Sequence, residues 1–294
     1  MIQAGAEEAV LGPLPAYKTE ELQGLMLKTM DRAVQERIRN RAKMMEEERA
    51  AGRRIINPHR PFYEVMPDGS WRGERCFIIG GGPSLTGFAF ERLRGQGRII
   101  AINRAYLDVP FADVCFFMDG SRDTFYGLVQ SGRLAPGCLE AWHAFQGYKV
   151  FLNIIGRKYD DVYSIRKAGR IGLSNSLRHG LYHGNNSGVG AIGLAVCLKA
   201  NPIYLLGIDC KFSGGKSHYH GGYVTRRMPE SIFKSFAREF ERLQHLLART
   251  SFKVINLNPA SGVRCFPFST IDKVLSNGKI SEPAGMGQAE AAGL

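Results

Sequence analysis

The chain has 294 residues, a formal net charge of +12 and a hydrophobic content of 44%. That is enough apolar material for a full core, and no run approaches the ~18 apolar residues a membrane-spanning helix requires, so no membrane-spanning helix is expected. The opening MIQAGAEEAVLGPLP has neither a basic nor an apolar leader region, so a cytoplasmic protein is expected, and the positive balance favours an anionic partner.

The first element expected is a helix from Thr19 to about Arg54, with apolar residues at Leu22, Leu25, Met26, Met30, Val34 and Ile38 and a capped start at Thr19. We read residues 1–56 as a helical arm that packs on the main domain or on a second copy of the chain. NPHRPFYEVMPDGSW follows, rich in proline and ending in a D-G turn, and residues 57–74 read as a linker. Residues 75–279 then alternate strand and helix patterns. Strands are expected at Arg75–Ile79, Arg98–Ile102, Val114–Met118, Lys149–Leu152, Ile203–Leu206 and Lys253–Leu257. Helices are expected at Gly188–Lys199, apolar all round, and at Ser231–Thr250, amphipathic. This alternation predicts an α/β fold of the Rossmann-like, doubly wound type: a mostly parallel sheet with helices on both faces. Residues 280–294 have little to pack and read as a flexible tail. The six cysteines include no CxxC pair and read as reduced core thiols.

In such sheets ligands bind beyond the carboxyl ends of the strands, so the loops there are the places to look for chemistry. FIIGGGPSL puts Gly80, Gly81 and Gly82 directly behind the first strand, where the chain can approach a ligand closely. Pro83 and Ser84 follow in what reads as a first helical turn, whose free N–H groups suit a phosphate. The spacing is neither GxGxxG nor GxxxxGK[ST]. AINRAY and FFMDG place Asn103 and Asp119 at two further strand ends. In NNSGVGAIGLAVCLKANPIYLLGID, Asn186, Ser187 and Gly188 open a tightly packed helix, a strand follows, and Asp209 stands at its end. SGGKSHYHGGY is a glycine-rich, mobile-looking loop carrying His218 and His220, candidates for a general base because imidazole titrates near neutrality. The same histidines lack partners at metal-ligand spacing, so no metal site is expected there. INLNPASGVRCFPF offers Ser261 after the last strand as a residue that closes the pocket or simply forms a turn. RKYDDVYSIRKAGR, residues 157–170, interleaves Arg and Lys with Tyr, a pattern that serves either a solvated face or a phosphate backbone.

Taken in order, IIGGGPSL, AINRAY, NSGVGAIGLAVCLKANPIYLLGID, SHYHGGY and NLNPASGVRCFPF resemble the bacterial lipooligosaccharide sialyltransferases. They also resemble the wider Rossmann-like group that includes the DUF115 proteins and the archaeal 6-hydroxymethylpterin diphosphokinases. The resemblance covers roughly residues 75–268. It implies a metal-independent glycosyltransferase that needs no cofactor beyond a CMP- or UDP-linked sugar-nucleotide donor and acts on an acceptor glycan, protein or modified DNA. It further implies that Gly80, Gly82, Pro83 and Ser84 lie along the phosphates or ribose, that Asn103 touches the donor, that Ser187 and Gly188 hold the nucleotide, and that Asp209 binds ribose or base. The chain departs from the sialyltransferase pattern at Gly81 and Asp119, both asparagine there, and at Gly222, where that family has its catalytic histidine. His220 or His218 would then serve as the base. Asp119 opens the alternative of a pyrophosphokinase with Mg²⁺ held by Asp119 and Asp209. A third reading is a non-catalytic nucleotide or nucleic-acid binder.

Overall fold

Every strand pairing among the described residues is parallel, and the pairings join eight strands into one sheet. This computed structural model describes residues 60–153, 156, 159–221 and 229–276, together with positions 36, 39 and 43. In chain order the first elements are α1 (Phe62–Val65), β1 (Cys76–Ile79), β2 (Arg98–Ile102), β3 (Val114–Phe117), α2 (Phe125–Gln130), α3 (Cys138–Ala144) and β4 (Tyr148–Asn153). β5 (Tyr163–Gly169), β6 (Leu181–Tyr182), α4 (Ser187–Cys197), β7 (Ile203–Leu206), α5 (Glu230–Leu247), β8 (Val254–Asn256) and α6 (Ile271–Ser276) complete the set. The strand order is β6-β5-β4-β3-β2-β1-β7-β8. The chain builds outward from β1 in one direction, then crosses back to place β7 on β1's other side.

Apart from Arg98 at the start of β2, the central strands β1, β2, β3 and β7 carry no charged residue because both faces are covered. Successive side chains point to opposite faces, so Cys76 and Ile78 enter one core while Phe77 and Ile79 enter the other. α1, α4 and α5 contribute to the first core; α2, α3 and α6 contribute to the second. α4 is buried along its length from Gly188 to Cys197, which explains why its sequence has no polar face. α5 alternates between Phe240, Leu243 and Leu247 inside and charged residues outside, the amphipathic pattern expected of it.

All six expected strands are present to within about one residue at each end, and both expected helices form. Three expectations are revised. The stretch 57–74 is not a free linker from Phe62 onward: Phe62, Met66 and Trp71 are buried in the first core. The basic run 157–170 contains β5, in which Tyr163 and Ile165 are buried and Arg166 and Lys167 are exposed. The connections after β1 and β2 are short 3₁₀ turns, Pro83–Leu85, Phe90–Leu93 and Asn103–Leu107, rather than α-helices. The helical arm lies outside the described residues except at positions 36, 39 and 43, which are helical, and the tail 280–294 lies outside them too. Contacts divide the chain into residues 1–55 and 56–294, so the second unit begins ahead of the expected boundary at 75.

Candidate functional site

β1 and β7 are adjacent in the sheet but belong to opposite directions of growth, so the loops leaving their carboxyl ends diverge and leave a crevice. Gly80–Gly82 leaves β1 there, and Gly207–Asp209 leaves β7. The two segments are laced together: Gly80 N–H donates to the Leu206 carbonyl and Gly82 N–H to the Gly207 carbonyl, each at 2.8 Å. A Cβ on Gly80 would lie 2.6 Å from the Gly207 oxygen, and one on Gly82 would lie 2.4 Å from Asp209 Cγ. None of the three glycines has a positive φ. Gly80 and Gly82 are glycine because the neighbouring strand end comes too close for a side chain.

Asp209, 3% exposed, is the brace of this junction. Its Oδ2 accepts the Ser84 N–H (2.7 Å), and its Oδ1 accepts both the Ser84 hydroxyl (2.7 Å) and the Asn258 amide (2.7 Å). Two expected roles change as a result. Pro83–Leu85 is a three-residue 3₁₀ turn, and its Ser84 N–H and hydroxyl are given to Asp209 rather than held for a phosphate. Asp209 itself is occupied by protein donors, although it also lines the crevice. Ser261 is fully buried, donates to the Ile208 carbonyl at 2.7 Å and accepts from Val263 N–H at 2.9 Å; it shapes the β7 exit from behind and does not face the crevice.

The other strand ends converge as expected. Asn103 follows β2 with φ 51°, and its side chain hydrogen-bonds Asp119 at the end of β3. Burial raises the Asp119 pKa and the Asn103 bond opposes that rise. Asn103 Oδ1 is buried and has no hydrogen-bond partner among the described residues, an acceptor that a ligand donor would satisfy. Asn186 caps α4, its Oδ1 accepting Gly188 N–H at 2.7 Å. The positive end of a fully buried helix thereby opens at Ser187 and Gly188 onto the crevice.

The histidine segment is anchored rather than loose over its described part. Tyr219 N–H donates to the Gly81 carbonyl at 3.1 Å, and the Tyr219 hydroxyl donates to Asp108 Oδ2 at 2.6 Å. Asp108 is also paired with Arg104 at 3.0 Å. This fixes His218 over Gly81, where a Cβ would fall 2.9 Å from His218 Cδ2 and 3.5 Å from His220 Nε2. Burial lowers the His218 pKa. His220 is pushed down to about 3 by burial, the Arg104 guanidinium and His218. Both rings are therefore neutral at pH 7. His218 lines the crevice and His220 does not, so His218 is the better-placed base of the two.

The resulting cleft encloses about 390 Å³, in the range of small-molecule sites. It brings together Gly80, Gly81, Gly82, Asn103, Asp119 and Asn186, with Ser187, Gly188, Asp209 and His218 completing the polar wall. The cleft also has an apolar lining that sequence reading missed, which includes Met118, Phe125, Ile208, Phe233 and Phe236. Phe233 and Phe236 sit three residues apart near the start of α5 and look, in the sequence, like any other core-facing pair. Phe212 packs edge-on against Phe233 with centroids 5.0 Å apart and steadies that lining.

The donor set for Mg²⁺ does not fit. Asp209 is surrounded by three hydrogen-bond donors, and among the described residues no group of three His, Cys, Asp or Glu could hold a metal ion. No helix among the described residues is long and apolar enough to cross a membrane. Gly222 lies outside the described residues.

No protein-family model matches the chain, and no curated protein matches it. Among solved structures, the sialyltransferase CstII from Campylobacter jejuni, in complex with the substrate analogue cytidine-5′-monophosphate, aligns at 15% identity with a TM-score of 0.41. The alignment covers 67% of this chain and 85% of that one. A likeness of this size carries no inference about chemistry.

Proposed function

We propose that the chain is a sugar-nucleotide-dependent transferase that works without a metal. The observation that carries this reading is the cleft at the β1/β7 switch point, which joins the positive end of α4 to a neutral histidine on the opposite loop. The ordered motifs from GGGPSL to NLNPASG support the same class by resemblance.

In this reading the donor phosphates sit at the N-terminus of α4, near Ser187, where the helix dipole, rather than the Gly188 N–H already held by the Asn186 cap, stabilises charge that grows as the leaving nucleotide departs. Burial of α4 on all sides strengthens that effect by excluding water. The base or ribose lies against the apolar lining. The acceptor hydroxyl oxygen attacks the anomeric carbon, the bond from that carbon to the phosphate oxygen breaks with its electron pair leaving on the nucleotide, and His218 takes the hydroxyl proton. Its lowered pKa keeps the imidazole free to accept that proton at neutral pH. Asp209, Ser84 and Asn258 hold the floor in place and take no part in the transfer.

The test is a thermal-shift screen of the purified chain with CMP, UDP, GDP, ADP and ATP, each in EDTA and in Mg²⁺. A ligand at 100 times its dissociation constant adds about 2.7 kcal/mol of stability. A shift with CMP, UDP or GDP that persists in EDTA is the expected result. A shift confined to ATP with Mg²⁺, or none with any nucleotide, refutes the reading.

A further inference from the structure

The protein is strongly basic, yet its cleft is not. Two carboxylates, Asp119 and Asp209, line it, and among the described residues no lysine or arginine does. The donors that hold Asp209, a backbone N–H, a hydroxyl and an amide, are all neutral. Asp119 receives an amide from Asn103, again neutral. Arg104, the residue after Asn103, is turned to Asp108. The positive end of α4 is the one feature described here that favours negative charge, and in the reading above it is taken by the phosphate.

From this we infer that the donor accepted by the cleft carries an uncharged sugar, with Asp119 as the residue that selects it. The inference rests on the sugar-nucleotide reading. Burial raises the Asp119 pKa, so the selection operates at pH values where this carboxyl is ionised; an ionised carboxylate accepts hydrogen bonds and cannot donate them, so it pairs well with sugar hydroxyls and repels a sugar acid. A carboxylate on the sugar would add a further negative group to a partly desolvated cleft that among the described residues offers no side-chain cation to meet it, and like charges a few ångströms apart in such a setting cost enough to lower affinity at least about tenfold.

Titration calorimetry on the full chain tests this with donor pairs that share a nucleotide: UDP-glucose against UDP-glucuronate, GDP-mannose against GDP-mannuronate, and CMP against CMP-linked N-acetylneuraminate, with UDP and GDP as references. For whichever nucleotide binds, the acidic sugar is expected to bind roughly tenfold or more weakly than its neutral counterpart or the bare nucleotide. Asp119→Asn, of the same shape but uncharged, is expected to narrow that ratio at least about threefold. Equal or tighter binding of the acidic sugar by the wild-type chain overturns the inference while leaving the transferase reading standing. Discrimination that survives unchanged in Asp119→Asn overturns the assignment to that residue. Failure of every nucleotide to bind refutes the transferase reading and the inference with it.

Discussion

Replacing Gly82 with alanine isolates the close approach on which the cleft depends. The new Cβ would fall 2.4 Å from Asp209 Cγ, 2.5 Å from its Oδ2 and 2.7 Å from the Gly207 oxygen, all far inside contact distance. The neighbours are a carboxylate held by three hydrogen bonds and a strand-end carbonyl, so neither can move without breaking something. Overpacking of this kind costs about 1–3 kcal/mol, and displacing Asp209 from even one of its donors adds about 1 kcal/mol. We therefore expect Gly82→Ala to lose about 3 kcal/mol. For a unit of this size that is a fall of roughly 6–12 °C in melting temperature. Gly87→Ala is the control. Gly87 has φ +73° and nothing within 4 Å, so alanine there meets no neighbour and pays only for a left-handed backbone, about 1 kcal/mol. Urea denaturation of both variants gives the comparison. If Gly82→Ala is no less stable than Gly87→Ala, the β1 and β7 exits are not packed as described and the account of the glycine run is wrong.

Asp209→Asn keeps the shape but turns an amide N–H₂ toward existing donors, and a loss of about 2–4 kcal/mol in urea denaturation is expected; a change under 1 kcal/mol would deny Asp209 its bracing role. His220, pushed down to about 3 in the fold, takes up its proton in the unfolded chain from about pH 6.5 downward, so stability is complete above that pH and declines as pH falls toward 3. In His220→Asn that part of the decline should vanish, and identical pH–stability curves for variant and wild type would refute the shift. Burial pushes the thiols of Cys210 and Cys265 up to about 12, so neither should react appreciably with a thiolate-selective reagent at pH 7.5 until the protein is unfolded. Rapid labelling of either in the native protein, read by mass spectrometry, would contradict their environment.

The strands were legible because a parallel sheet covered on both sides demands short apolar runs, and CFII, VCFF, IYLL and the IIAI that follows Arg98 supply them. β5 escaped notice for the opposite reason. Near the sheet's edge only Tyr163 and Ile165 need burying, so its exposed Arg and Lys dominate the sequence signal. β6 has two residues and no pattern to read. Part of the polar half of the cleft could be anticipated because Asn103, Asp119 and Asp209 each follow an identifiable strand. What could not be anticipated was which of these residues the protein uses on itself. Ser84 and Asp209 are 125 positions apart, and nothing local to either announces that they bond. The apolar half was hidden for a similar reason, since Phe233 and Phe236 sit in an amphipathic helix where core and pocket residues share one periodicity.

The ring of His218 resting over the bare backbone of Gly81 makes these two positions a single unit of variation. A side chain at position 81 would need the volume the imidazole now fills, so any larger residue there has to arrive together with a smaller one at 218 or with a shift of the whole segment pinned by Tyr219. A library that randomises position 81 alone should return glycine almost exclusively among folded, active members. One that randomises both positions and is selected for folding alone should recover pairs with the bulk moved from one loop to the other, and such pairs, which lack the His218 base, would mark a second way of closing the same cleft.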